Sequence, residues 1–455
     1  MKDFRTTTPW NQVNPGPKRG PWQPQEYVRA AIRSGSAIPF RALMVFSFIL
    51  IVEPHNTFLK FLGPLRIALI AAAVAIISYV NDRMGRGQPI SIYPREFKLA
   101  AVLAGLALLS IPFSKWPGGS FGYFFDVFLK SLIVFWLLGN SINSVTRFRL
   151  VAWALSLMAV PLAVTAVKNY LTGNFIGGSA ALGIKRIVGY GANLTANPND
   201  LALMLSEMLP FTVALYVASK NPRVRLLAVS IIMLEVAGVV VTFSRMGFLI
   251  LATLFAVHQV KVFKRSILGV AMAMLVGGIL AVPFLPSSYL DHMQTITNVD
   301  SDTTGSSQVR WADLNRSTAL VLANPLIGGG IGMDELSVNA AAGKGIWKPV
   351  HNVYLKCGVE LGIFGIIVFV MLLMAAIKSA SYVAQRSERA PATKELAVYA
   401  RAIQISLIAF AIGGFFSPSA YSFTFYYFAG LAVAVKATYW QMVERNNDGG
   451  KIIRA

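Results

Sequence analysis

HNVYLKCGVELGIFGIIVFVMLLMAAI, residues 351–377, decides how this chain folds. From Leu355 to Ile377 the run is near-continuously apolar and long enough to cross a hydrocarbon core of about 30 Å as a helix. A histidine, His351, opens the segment in front of that span. Polar chemistry at the mouth of a membrane helix is therefore the first feature to place.

Composition agrees with a chain built for lipid. Of 455 residues, 55% are hydrophobic and 13% charged, with a mean hydropathy of +0.58. Ordinary soluble domains carry about 25% charged residues. The 41 Lys and Arg against 20 acids give a net charge of +21. In a soluble chain that would point to nucleic acid. Here no basic patch interleaves with exposed aromatics, and loop cations that set topology and meet anionic lipid account for the excess. No nucleic-acid partner is expected. The single cysteine, Cys357, lies inside a predicted span, so neither a disulfide framework nor a thiolate metal site is available. The first 36 residues form a basic tail without an apolar core, so the first span is expected to act as an uncleaved insertion signal.

The expected fold class is an all-α polytopic membrane protein. About twelve apolar runs fall near 37–52, 62–80, 98–113, 121–139, 148–167, 199–218, 224–243, 246–262, 267–284, 355–377, 398–417 and 424–440. The second contains Arg66 and the fourth Lys130. Placing both termini in the cytoplasm puts most of the 41 cations in inner segments and very few in the short outer loops, as the positive-inside preference requires. The organisation is then a tail to residue 36, a helical membrane domain over 37–440, and a second cytoplasmic tail over 441–455. The tail from 446 onward is expected to be disordered. Two outer segments are long, about 168–198 and about 285–350, and long loops in compact proteins are usually functional. In the second, VRWADLNRSTALVLANPL (309–326) reads as an amphipathic surface helix closed by Asn324-Pro325, and GGGIG (328–332) as a flexible turn.

On this outer face stand three candidates. Arg245 sits between two spans joined by almost no loop, four residues before Leu249 and hence on its helix face. It reads either as an arginine snorkelling to the interface or as an anion-binding group, and an outer-face cation runs against the positive-inside preference. Arg310, before Trp311, is either a solvated loop residue or a partner of the same anion. His351 has an ordinary pKa near 6.5 and can take a proton from an attacking hydroxyl, a role worth about 10²–10⁴ in rate. Flanking arginines favour its neutral form, the one a base needs. Lone histidines are also often structural. Gly362, eleven residues on and about 16 Å along a regular helix, returns to nearly the same face and can make a close helix contact. Lys185 and Arg186 form a further basic pair, either solvated or shielding phosphate at the mouth of a groove.

Other signals carry less. Asp300-Ser301-Asp302 has the form of a metal-binding DxD, but in a loop away from nucleotide sugars. GGGIG lacks the Lys-Ser/Thr of a phosphate-binding loop. No His and carboxylate cluster has metal-ligand spacing, so neither a metal nor a cofactor is expected. Glu207, Glu235 and Glu360 lie within spans, where they either pair with buried cations or tune the site.

Arg245 to Leu249 (Arg-x3-Leu) and His351 to Gly362 (His-x10-Gly) resemble the two signatures of the O-antigen ligase family. The stretch from about 306 to 366, with Arg310-Trp311, NPLIGGGIG and LGIFG, resembles the C-terminal region shared by O-antigen ligases and polymerases. ANPNDLALML (196–205) is similar to a recurring family segment. The resemblance implies a metal-independent, inverting glycosyltransferase of the bacterial inner membrane. It would take a glycan from undecaprenyl pyrophosphate on the periplasmic side. Arg245 and Arg310 would bind the pyrophosphate and His351 would activate the acceptor. Arg186, Lys185 and Asn197 are the further candidate substrate contacts. The acceptor would be lipid A–core or a growing polysaccharide. Two rivals remain: a polymerase of the same superfamily, and a small-anion, bicarbonate-type transport-associated protein, which predicts broken helices and charges converging at mid-membrane. A structural subunit of a polysaccharide assembly is a blander third.

Overall fold

The computed structural model describes residues 36–57, 59, 61, 65–176, 186–191, 195–263, 266, 269, 306–342 and 347–452, with backbone alone at 306–310, 342, 392 and 445–452. Among these residues the fold is helical throughout, with one isolated antiparallel bridge between Phe175 and Ile187. In chain order the main helices are α1 (Ala37–Val52), α2 (Ile67–Gly85), α3 (Arg95–Ser110), α4 (Pro117–Ser141), α5 (Val145–Leu171), α6 (Pro198–Ala218) and α7 (Pro222–Val240). They continue with α8 (Arg245–Lys261), α9 (Ser306–Ala323), α10 (Asp334–Ala342), α11 (Val353–Ser387), α12 (Lys394–Gly413) and α13 (Phe423–Ile452).

Among the described residues, seven helices are long and apolar enough to cross a membrane: Ala37–Thr57, Ile67–Gly85, Pro117–Ser141, Val145–Leu171, Pro198–Ala218, Val353–Ser387 and Lys394–Gly413. Helices α3, α7, α8 and α13 occupy four more of the expected spans. The ninth, 267–284, lies outside the described residues, as do the tail before residue 36 and the Asp300–Asp302 motif. Arg66 stands at the N-cap of α2 rather than within it, and Lys130 pairs with Asp126 at 3.2 Å on an exposed face. Neither cation interrupts its helix. The last helix runs to Ile452, through the segment expected to be disordered. Gln441, Met442, Glu444 and Arg445 are good helix formers and carry it past the apolar part.

Local sequence sets where the helices begin. Asn197 and Asn221 are N-caps followed by proline at the first helical position, and each side-chain carbonyl accepts the N–H two residues on, from Asn199 and Arg223, at 2.9 Å. Proline has no N–H to leave unsatisfied there, and its fixed φ suits the first turn. Ser144 and Ser244 cap α5 and α8, each Oγ accepting the N–H three residues on, from Arg147 and Gly247. The bundle centres on α6, α12 and α13. Phe410 stacks on Phe425 at 5.0 Å and Phe369 meets Phe425 at 5.2 Å, tying α11, α12 and α13 together. Helices in lipid gain little from the hydrophobic effect and associate through close packing of small residues. Gly430 of α13 lies so near α4 that a Cβ there would come within 2.9 Å of Leu138.

The bundle has two distinct ends. At one, Arg147 donates to the Ser36 carbonyl at 2.9 Å, Arg149 pairs with Glu395 at 2.6 Å and Arg401 with Glu388 at 2.7 Å. At the other lie the starts of α6, α8 and α11 and the ends of α5, α7 and α12. This second end holds the candidate residues.

Candidate active site

Arg245 is the first residue of α8. The chain reaches it through a tight turn after α7 in which Phe243 takes a left-handed φ of 52°. Such a conformation is costly for a side chain with a Cβ, by about 1–2 kcal/mol. Stacking of Phe243 on Tyr170, with ring centroids 5.8 Å apart, opposes that cost. Ser244 Oγ accepts the Gly247 N–H at 3.2 Å. Gly247 itself lies where a Cβ would meet Ala202 of α6 at 2.8 Å, so the helix start is seated directly on α6. Arg245 is half-buried there, while Leu249 is exposed on the apolar flank.

The first outer segment brings Arg186 to the same place. Ile176 N–H donates to the Arg186 carbonyl at 2.8 Å, and Val188 N–H to that of Asn174 at 3.0 Å. Asn169 Nδ2 holds the Val188 carbonyl at 2.8 Å, and Tyr190 Oη donates to the Val52 carbonyl at 2.9 Å. Buried Ile187 anchors the turn. The Arg186 guanidinium is pushed below its ordinary pKa by burial first and then by the positive field of Arg245, with Asp200 pulling the other way. Asp200 stands in the first turn of α6 and accepts a hydrogen bond from Ser417 Oγ at 3.3 Å. Two guanidinium groups and one carboxylate thus share an electrostatic neighbourhood. Asn197 sits at its rim, exposed, with its side-chain oxygen used for the cap of α6.

His351 is half-buried just before α11. Its backbone neighbours are pinned on both sides. Val350 N–H donates to Asp334 Oδ2 at 2.9 Å, and Val353 N–H to the Gly414 carbonyl at 2.8 Å. Asn352 caps α11 by accepting the N–H groups of Tyr354 and Leu355 at 3.0 and 3.1 Å. The loop that begins at Gly414 also carries Ser417, the partner of Asp200. A short path of contacts therefore links the histidine loop to the Asp200, Arg186 and Arg245 group. Arg310 lies on α9, its side chain outside the described residues, and Lys185 is outside them altogether.

Beneath His351 is a buried ionic cluster. Lys356 Nζ is 3.0 Å from Asp334 Oδ1 and 3.5 Å from Glu360 Oε1, and it faces the Tyr123 ring at 5.8 Å. Burial alone would raise the Asp334 carboxyl. The Lys356 ammonium, with hydrogen bonds from Val350 N–H and Lys356, outweighs it and holds the group below its ordinary value. Of the three intramembrane glutamates, only Glu360 has a cation partner among the described residues. Glu235 instead accepts from Thr212 at 3.1 Å, and Glu207 is fully buried on α6.

Two expectations about this region change. Gly362 does not lie on a regular helix face; its φ is 69° and its ψ −168°, and α11 breaks there. The close approach is to a loop, not a helix: a Cβ at Gly362 would fall 2.5 Å from the Pro325 carbonyl oxygen. GGGIG is likewise not a flexible turn. Gly329 and Gly330 donate their N–H groups to the Val359 and Glu360 carbonyls at 2.7 and 3.0 Å, and Ile363 N–H goes to the Pro325 carbonyl at 2.8 Å. The glycines cap the broken helix, so the Val359 and Glu360 carbonyls and the Ile363 N–H freed by the break are recaptured, as burial in a membrane protein favours. On its other side the loop docks on residues 110–123. Ser110 Oγ accepts from Ile331 N–H at 3.2 Å, and Ser120 Oγ donates to the Ile331 carbonyl at 2.8 Å.

Against known proteins, the O-antigen ligase family model matches residues 227–370. No curated protein matches. The matched stretch contains Arg245, Arg310, His351 and Gly362, and it ends within α11. It carries a ligase- or polymerase-like role in polysaccharide biosynthesis. The match over this domain supports the O-antigen ligase superfamily.

Proposed function

We propose that this protein is a periplasmic-face glycosyltransferase that moves a glycan from undecaprenyl pyrophosphate to an acceptor hydroxyl, ligase-like, inverting and independent of metal. The observation that carries the reading is the meeting of Arg186 and Arg245 beside the His351 loop. Two like charges at partial burial are relieved when an anion joins them, and a pyrophosphate offers bidentate acceptors to guanidinium groups. In the proposed step the acceptor oxygen attacks the anomeric carbon as its proton passes to His351. The bond from that carbon to the pyrophosphate oxygen breaks, and the lipid pyrophosphate leaves with its charge held by Arg245 and Arg310, while Arg186 helps to bind the donor. One displacement inverts the anomeric centre. Lys185 and Asn197 are assigned to the rim of the donor site. The donor bond is already activated, so no nucleotide is consumed.

The test is deletion of the gene followed by comparison of finished surface glycan with lipid-linked precursor. Precursor accumulates and finished glycan is lost; wild type restores it, and His351→Ala or Arg245→Ala at equal abundance does not. Full rescue by both variants removes the site. A polymerase differs from a ligase only in the acceptor, which a defined transfer assay with lipid A–core and with lipid-linked glycan separates.

A small-anion transport reading is favoured by one observation, the break at Gly362 beside Asp334, Lys356 and Glu360. Those three groups pair with one another and are buried, which suits a fixed joint better than a path. Unchanged glycan with altered anion uptake in the deletion strain would decide for transport.

A further inference from the structure

At the end of the bundle opposite His351, α6, α8 and α12 enclose a cavity of about 160 Å³ that the transfer reaction does not use. Its inner wall is apolar, from Pro210, Val213, Ala214 and Val217 of α6 and Ile405 of α12. Its mouth carries His258 and Lys261 from the last turn of α8 and Lys394 and Arg401 from the first two turns of α12.

Among the described residues, the charges at this mouth do not balance. Glu388 is paired with Arg401 at 2.7 Å, and Arg401 also donates to the Lys261 carbonyl, which locks α8 to α12. Glu395, the other acid nearby, is engaged by Arg149 at 2.6 Å. Lys261 and Lys394 are left as excess positive charge over an apolar recess. His258 Nδ1 lies 2.7 Å from the Leu254 carbonyl oxygen, an atom that only accepts, so Nδ1 carries the proton and Nε2 is the ring's remaining polar atom.

We infer that this cavity binds the phosphate headgroup of an anionic membrane lipid, with Lys261 and Lys394 on the phosphate and the apolar wall against the first carbons below it. Size limits the occupant. A cavity near 150 Å³ accommodates a molecule about as large as benzene, so a headgroup enters while the acyl chains stay in the bilayer. The position fits, because basic pockets between membrane helices on the cation-rich side are where anionic headgroups are recognised. The site is independent of the glycan-transfer reading.

The test uses the full-length protein purified in detergent and returned to vesicles. The probes are dioleoylphosphatidylglycerol, dioleoylphosphatidylcholine and inorganic phosphate. Phosphatidylglycerol raises the thermal unfolding temperature and is retained as an adduct in native mass spectrometry, whereas phosphatidylcholine does neither. Lys261→Gln and Lys394→Gln each weaken the phosphatidylglycerol effect about fivefold, from roughly one surface charge's attraction to the leaflet. Neither residue belongs to the proposed transfer site, and both variants keep wild-type stability in phosphatidylcholine. Equal phosphatidylglycerol dependence in wild type and the double variant overturns the proposal. So does saturation by inorganic phosphate alone in phosphatidylcholine vesicles, which would assign the pocket to a soluble anion.

Discussion

Two charged regions lie one above the other at the same end of this molecule, and they are built in opposite ways. Asp334 and Glu360 gather on Lys356 in a place closed to solvent. Arg186 and Arg245 oppose each other in a half-open place, with Asp200 as a counter-charge held by Ser417. The first is held by its own ion pairs, and in the proposed reaction the second takes the donor's anion. Charge in a membrane protein therefore has to be sorted by whether it is internally matched before it is taken as a site. The buried cluster serves the upper region through Asp334, which holds both Lys356 and the backbone just before His351.

The largest expected effect breaks the lower region. Lys356→Ala leaves two buried acids without their cation, a loss of about 3–5 kcal/mol. Thermal unfolding in detergent should fall steeply or the protein should fail to accumulate. Stability equal to wild type would erase the distinction between the two regions. Gly362→Ala comes next. It places a Cβ at a left-handed φ and against the Pro325 carbonyl, so strain of about 1–2 kcal/mol adds to overpacking of about 1–3 kcal/mol. The melting temperature reports it, and a neutral result would mean that the break in α11 is not held by the loop.

Arg186→Gln sharpens the upper region. Donor KM should rise about tenfold, or 1.4 kcal/mol, with kcat within about twofold and with stability unchanged. A wild-type KM would leave Arg186 as a loop residue. The smallest effect is visible only in acid. Because the Asp334 carboxyl is held below its ordinary value, its contribution is full above the unfolded pKa of about 3.9 and is lost as pH falls through the folded value. Unfolding followed from pH 7 to pH 3 should show that decline in wild type and a shallower one in Asp334→Asn.

The helical membrane fold was legible because hydropathy is a local property: each run of apolar residues declares itself without reference to the others. Caps were equally local, as Asn197-Pro198 and Asn221-Pro222 show. Arg245 and His351 stood out by type and by position at span ends. What could not be read was any contact made across the chain. Glu360 was left between pairing with a buried cation and tuning the site, and nothing near Lys356 announces Asp334. Asp200 and Ser417 are separated by 217 residues, and only the folded bundle brings them together. Gly362 was misjudged for the same reason. Eleven residues on an ideal helix predict a shared face, whereas an inserted loop had already broken that helix.

That loop has one more consequence. The segment recognisable as an O-antigen ligase domain, residues 227–370, rests its glycine turn on hydroxyls supplied by Ser110 and Ser120, far outside its own limits. It is a signature rather than a module. A chimera exchanging only residues 227–370 between two relatives would inherit a turn without its seat, and residues 110–123 must travel with it for the exchange to report on specificity.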